Sequence, residues 1–305
     1  MFGVSFSFTM SKISNQKSIS NSEFVRLLLA EGNPNFVYQK QEKKNFLSSF
    51  LSLFHIDLAN PFQMIKNNYS YQDYSDNSSD ETEQPTGSEY VPDPYPEKEV
   101  TEPIVYLYNT HQLEEYKQEN QESYNVTPNV MMLSYIVREK LNDKGIPTIV
   151  EENDVSAFLQ ANNWNYASSY KVTRLLMEDA KEKNPSLKYF IDLHRDSVSK
   201  NISTATINGK SYAKILFIVG LENPNYQGNL TVTTTINNML EENYPGITRG
   251  IYKKEGKGVN GVYNQDFDQN TILFEVGGPE NTIQEVLNSA DAIATVLAEY
   301  IEGDI

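Results

Sequence analysis

Two of the three histidines in this 305-residue chain stand directly after apolar runs. His111 follows "IVYLYNT" and precedes Glu114 and Glu115, while His194 follows "YFIDL" and precedes Arg195 and Asp196. Glu275 sits in a matching context, inside "TILFEVGG". His-x-x-Glu with a distant second His can build a mononuclear zinc site of three N/O ligands with one position open. Such a site polarises a carbonyl and lowers the pKa of water. A further carboxylate must then take a proton and deliver one to the leaving amine. Glu275 suits that task, because a carboxylate in an apolar strand is paired, held protonated, or at a strand tip facing a site. The chain has no cysteine, so disulfides and thiolate ligands are excluded and any metal must be held by His, Asp and Glu.

These residues need strands to carry them. "IVYLY" (104–108), "IPTIV" (146–150), "YFIDL" (189–193), "AKILFIV" (213–219) and "TILFEV" (271–276) read as buried strands. Helices are expected between them. One starts at Thr127-Pro128, with Val130, Leu133, Val137 and Leu141 on one face and Gly145 closing it. Others cover 170–183 and 229–243, and a last one carries Ile283, Val286, Leu287, Ala290, Ile293, Ala294, Leu297 and Ile301 on one face. Apolar strands with intervening helices imply an α/β fold, a three-layer αβα arrangement on a mostly parallel twisted sheet. In such sheets ligands gather outside the carboxyl ends of the strands, where His111, His194 and Glu275 all fall.

A blander reading stays open on the residues alone. The histidines can be hydrogen-bonded structural groups, and "DLHRDS" an ion-paired turn with Arg195 on Asp192 or Asp196. Glu275 can be the buried partner of Arg174 or Arg195. A Ser197/His194/Asp192 triad is disfavoured, since neighbours in one short stretch do not easily reach triad geometry and no nucleophile elbow is present. "GKGVNG" (256–261) lacks the Lys-Ser/Thr of a phosphate loop and precedes no helix. His55 belongs to an apolar N-terminal stretch and is given no catalytic role.

The formal net charge is −16, and no basic stripe suggests nucleic-acid binding. Residues 71–102 carry ten Asp or Glu against the single Lys98. That acidic, Pro-containing stretch reads as a flexible linker. The expected organisation is therefore an N-terminal helical, membrane-proximal segment (1–67), the acidic linker (68–102) and a catalytic domain (103–305). In the first segment, 19–33 reads as a helix capped by Ser20 or Asn21, and 45–65 as an apolar stretch broken by Pro61. No run of 18 apolar residues spans a membrane. "MFGVSFSFTM" lacks a basic n-region, which is compatible with a cytosolic protein or with an exported one whose start lies upstream.

At "YNTHQLEEY", "NPSLKYFIDLHRDS", "YPGITRGIY" and "YNQDFDQNTILFEVGGPENTIQEV" the chain resembles the stage II sporulation protein P family, peptidoglycan hydrolases of endospore-forming Firmicutes. The resemblance covers about residues 103–301 and extends to "FHIDLANPFQMI". The family is similar to zinc-dependent N-acetylmuramoyl-L-alanine amidases of the amidase-3, zinc-exopeptidase-like type. It implies His111, Glu114 and His194 as Zn2+ ligands and Glu275 as catalytic base and acid. Glu114 is preferred over Glu115 because Tyr116 aligns with the aromatic that closes the motif. Arg195 and Asn264 are expected to position substrate or stabilise an oxyanion. The implied reaction is cleavage of the muramic acid–L-alanine amide, together with stem-peptide endopeptidase activity, during engulfment. The implied partners are peptidoglycan and other engulfment proteins such as a lytic transglycosylase. The implied location is extracytoplasmic, on a membrane anchor not visible in this chain. Asn109 leaves one histidine at a position where members also carry two, and in amidase-3 relatives the Glu ligand lies farther along, at the next helix. A catalytically silent wall-binding scaffold is the alternative from another class.

Overall fold

The computed structural model describes residues 20–32, 88–96, 99–119 and 126–304. Helix α1 (Asn21–Gly32) opens on a capping box: Ser20 Oγ accepts from the Glu23 N–H, and Glu23 Oε2 accepts from the Ser20 N–H. Strand β1 (Val105–Tyr108) is buried along its whole length. Helix α2 (Val130–Asp143) is capped by Asn129, whose Oδ1 accepts from the Met131 N–H. Pro128 therefore lies just outside the helix rather than at its first position. Strand β2 (Thr148–Val150), helix α3 (Val155–Ala161) and helix α4 (Ser169–Lys183) follow, then strand β3 (Tyr189–His194). A short helix α5 (Lys200–Ser203) leads into a hairpin of β4 (Thr204–Ile207) and β5 (Lys210–Ala213). Asn208 and Gly209, both at positive φ, make its two-residue turn. The chain ends with β6 (Ile215–Gly220), α6 (Tyr226–Asn243), β7 (Thr248–Lys254), β8 (Thr271–Val276) and α7 (Ile283–Asp304).

The main sheet has the order β2-β1-β3-β8-β6-β7. All neighbours are parallel except β6 and β8, so the sheet is mostly parallel, as expected, with one reversal. Val105, Leu107, Ile191, Phe217 and Phe274 on one face join α2, α6 and α7 in the main core. Tyr106, Tyr108 and Phe190 on the other face pack on Met177 and Ala180 of α4, and α3 packs on α4. Helices on both faces make the three-layer αβα architecture. Among the described residues no helix is long and apolar enough to cross a membrane.

Two upstream pieces join the core. Phe24 and Val25 of α1 are buried in it. Residues 88–96 lie within the stretch read as open linker, yet Val91 is fully buried and its carbonyl accepts from Tyr135 Oη of α2 at 3.0 Å. Asp93 forms a two-pronged ion pair with Arg138 of α2, both side chains more than nine-tenths buried. A few anchors inside a polar segment are enough to fix it when each finds a buried partner. The expectations for residues 33–87, including His55 and the apolar stretch 45–65, lie outside the described residues.

Removing one member of a buried pair leaves the other charge uncompensated. Asp93→Ala is expected to destabilise the fold by about 3 kcal/mol, read as a lower urea midpoint. An unchanged midpoint would mean that residues 88–96 are not part of the folded unit.

Candidate active site

Strands β1, β3 and β8 are adjacent and parallel, so their carboxyl ends open on the same side of the sheet. After β1, the Glu114 N–H donates to the His111 carbonyl at 3.2 Å, a tight turn that folds the glutamate back toward its own histidine. His194 is the last residue of β3, and Glu275 pairs with it in register on β8. Sequence positions 81 apart thus become neighbours through one strand pairing.

The Glu114 carboxylate lies between the two imidazoles. Its Oε1 is 3.4 Å from His111 Nδ1 and its Oε2 is 3.4 Å from His194 Nδ1. One ligand atom from each of the three residues can be chosen so that all lie within 4.8 Å of one another. Ligand atoms of a tetrahedral ion with bonds of about 2.0–2.1 Å stand roughly 3.4 Å apart. Two imidazoles and one carboxylate at this spacing therefore fit a divalent ion of the zinc type.

Neighbouring groups fix these three side chains. The Arg195 N–H donates to Glu114 Oε2 at 2.8 Å. Asp192, 1% exposed, approaches His194 Nε2 to 3.0 Å and accepts from the Thr110 N–H and Thr110 Oγ1 at 2.9 and 2.7 Å. A carboxylate behind a ligating histidine fixes which ring nitrogen faces the metal. Asp192 is placed to do so for His194, and it ties down the residue before His111. The Tyr166 ring stacks on His111 with centroids 4.8 Å apart, and Tyr170 lies against both histidines. Neither tyrosine nor Asp192 carries a local sequence signal of such a role.

The charges respond to this crowding. Burial works against a charged His194, but Asp192 and Glu114 outweigh it and hold its pKa well above the usual imidazole range. Burial would raise Glu114, yet His194 and His111 outweigh that and keep it strongly ionised. Glu275 is pushed up to about 7, chiefly by burial; the His194 charge opposes the rise, and Glu114 and Asp196 add to it. Glu275 Oε2 is buried and has no hydrogen-bond partner among the described residues.

The blander assignments are not those observed. Arg174 pairs with Glu178 and Asp266, and Asp196 pairs with Arg249. Arg195 turns its guanidinium to the carbonyls of Glu115 and Asp196 at 2.9 and 3.3 Å. That leaves Arg195 bracing the turn that carries Glu114. Asn264, at positive φ, donates to the Tyr170 carbonyl and to Thr173 Oγ1, which in turn meets Thr110 Oγ1 at 3.1 Å. Four of the six expected residues, His111, Glu114, His194 and Glu275, are thus brought together, while Arg195 and Asn264 support them from behind. Asn109 is structural: its amide donates to the Leu193 carbonyl and its Oδ1 accepts from Ser134 Oγ. Gly278 is required by close packing, since a Cβ there would meet the Val198 carbonyl at 2.4 Å.

A family model described as stage II sporulation protein P (SpoIIP) matches residues 24–298. The chain belongs to the stage II sporulation protein P family. The match begins inside α1, in keeping with the packing of that helix on the domain. A stage II sporulation protein P of Bacillus subtilis (strain 168) is 35% identical over 202 residues, which is 64% of this chain and 50% of that relative. The aligned region thus spans about half the length of that family member. Among solved structures, an N-acetylmuramoyl-L-alanine amidase from Clostridium difficile 630 covers 67% of this chain and 97% of its own, at 13% identity and a TM-score of 0.40. A metallo-carboxypeptidase from Burkholderia cenocepacia covers 70% of this chain and 60% of its own, at 8% identity and a TM-score of 0.42.

The raised Glu275 has a measurable cost. A carboxyl held near 7 in the folded protein and near its model value of 4.5 unfolded is bound to its proton more tightly when folded. The stability this contributes is present below the unfolded value and is lost as pH climbs through about 7. Metal-free Glu275→Gln protein, which cannot ionise there, is expected to match wild type at acid pH and exceed it at alkaline pH. Urea unfolding of chelator-treated protein on either side of neutrality reads this. A stability gap independent of pH would refute it.

Proposed function

We propose that this chain is a zinc-dependent peptidoglycan hydrolase that cleaves the amide between N-acetylmuramic acid and L-alanine, acting outside the cytoplasm during sporulation. The observation that carries the reading is Glu275, half-buried with its Oε2 fully enclosed and unpartnered among the described residues, beside a His–Glu–His group of metal-ligand spacing. His111, Glu114 and His194 would hold the ion. When bound there, zinc would supply Lewis acidity toward the amide carbonyl and toward water.

The chain's own groups account for the proton traffic. A general base works best with a pKa near the working pH, and burial places Glu275 in that range. In its ionised form Glu275 accepts a proton from the attacking water; protonated, it returns that proton to the departing amine of L-alanine. Asp192 and the Arg195 N–H keep His194 and Glu114 aimed at the ion, so little reorganisation is needed when substrate arrives. Tyr166 and Tyr170 wall the histidines and limit the water around them.

Digestion of purified cell wall tests the reaction. Wild type should release stem peptides with free L-alanine amino groups, seen by mass spectrometry, and chelation should stop the release until zinc is returned. Glu275→Gln should lose roughly a hundredfold to ten-thousandfold in rate, the range for a general acid–base group. Release that survives this substitution would leave a wall-binding scaffold as the better reading, and new amino groups only at cross-links would make the chain an endopeptidase.

Asp192 gives a second handle that does not depend on turnover. Loss of the carboxylate behind a ligating histidine typically costs 10–100-fold in metal affinity. Asp192→Ala should show a loss of that order in zinc competition with a chromogenic chelator. Affinity equal to wild type would separate Asp192 from the metal.

A further inference from the structure

The sheet face that carries Glu275 is covered by α4 over β1 and β3, and α4 reaches β6 through Tyr170, which clusters with Ile218, Leu273 and Tyr263. Beyond that cluster the same face continues onto β7, the last strand of the sheet. Glu275 pairs with Leu216, Ile218 with Tyr252, and Gly220 with Lys254. Side chains alternate between faces along a strand, so Tyr252 and Lys254 share the face of Leu216 and Glu275. Tyr252 is 58% exposed, one of only three large apolar side chains so exposed among the described residues. The Lys254 ammonium lies over the Tyr263 ring, 5.7 Å from its centroid.

A bulge adjusts the near end of β7. Between Ile215 and Phe217, two positions apart on β6, the partner on β7 advances three positions, from Thr248 to Ile251. Gly250 takes up the extra residue at φ +86°. The bulge brings Arg249 to the face of Tyr252 although they are three residues apart, and Arg249 reaches over to Asp196 beside the active site. Strand and turn are basic in an acidic chain: residues 248–257 hold Arg249, Lys253, Lys254 and Lys257 against Glu255, in a protein of net charge −16.

We propose that this strip, Leu216, Tyr252 and Lys254 with Arg249 at its near end, is the binding site for an anionic peptide: the stem peptide that leaves the scissile amide, with its free carboxylates on the cations of β7. This rests on the hydrolase reading above. Charge complementarity selects the occupant, since an uncharged glycan strand offers nothing to the cations. Length agrees as well. Strand β7 lies two strands from β8, about 10 Å across, and by register Tyr252 is level with Leu273 and Lys254 two residues beyond it, about 13 Å along the sheet from Glu275. The resulting span of about 16 Å to Lys254 is covered by about five residues of extended peptide. A carboxylate near the far end of a peptide of about that length therefore reaches Lys254 while the cleaved bond lies at Glu275.

NMR titration of the Glu275→Gln full chain with a synthetic stem peptide bearing free carboxylates reads the binding without turnover. Shifts should fall on residues 249–254, and Tyr252→Ala or Lys254→Gln, each added to that background, should weaken binding about tenfold, the scale of one charge-assisted contact. The same peptide with amidated carboxylates should bind as weakly as the Lys254→Gln variant. Lys183→Gln, an exposed cation on α4, should change nothing. Wall digestion by catalytically competent Lys254→Gln should show a raised KM rather than a lowered kcat. Equal affinity for free and amidated peptides, absence of binding, or indifference to both β7 substitutions would overturn the assignment. A wild-type chain that binds the peptide at β7 but releases nothing from wall would instead overturn the hydrolase reading and leave the peptide site standing.

Discussion

The Glu114 carboxylate, held between the imidazoles of His111 and His194, sets the terms for the surrounding structure. Three titratable groups this close and this buried are costly unless each polar atom has an opposite charge, a hydrogen bond or an ion. The nearby sequence is organised around that cost. The Arg195 N–H serves one oxygen of Glu114, Asp192 serves the far side of His194, and Thr110 and Thr173 extend the chain of bonds to Asn264. Glu275 is the one carboxyl left without such support, which is why its proton affinity rises instead. Stability is given up at that one group, a trade that fits the acid–base role proposed for it.

Rigid backing makes the arrangement possible. Strands β1 and β3 are buried along their whole length, so the polar residues at their ends project from backbone with little freedom to move. Tyr116 ties the Glu114 turn to β8 through the Val276 carbonyl at 3.0 Å, linking the two halves of the site. On the opposite layer α2 is itself braced by α1 and by the Asp93–Arg138 pair. The N-terminal pieces thereby pack into the same core as the strands that carry the site.

Much of the site was legible because its carriers are apolar runs. "IVYLY", "YFIDL" and "TILFEV" announce buried parallel strands, and the polar residues at their ends stand out against them. Strand β7 was not legible: "TRGIYKK" is basic, interrupted by glycine and exposed on one side, as an edge strand tends to be. Helix α3 is only seven residues long and gave no periodic signal. The part of Asp192 was hidden because its partner Thr110 lies 82 residues away, a contact that only strand pairing creates. Arg195 looked like a free cation near a site because sequence shows charge but not the carbonyls that absorb it. Residues 88–96 looked like linker because composition averages over Val91 and Asp93, the two residues that anchor it.

The reversed direction of β6 has a bearing on how this architecture can vary. Since β6 runs against β8, its first residues, not its last, lie at the cleft end of the sheet. The chain leaving β3 after His194 can therefore re-enter the sheet at the same end, without a helix crossing back over it. Everything between, α5 and the β4–β5 hairpin included, is an excursion that starts and finishes at the mouth of the site. Its length can change while the register that sets His194 beside Glu275 stays as it is. The hairpin itself is seated on α7, where Asn288 and Ser289 donate to the carbonyls of Ser211 and Ala213, so a change at its Asn208-Gly209 tip leaves the pairing of His194 with Glu275 untouched.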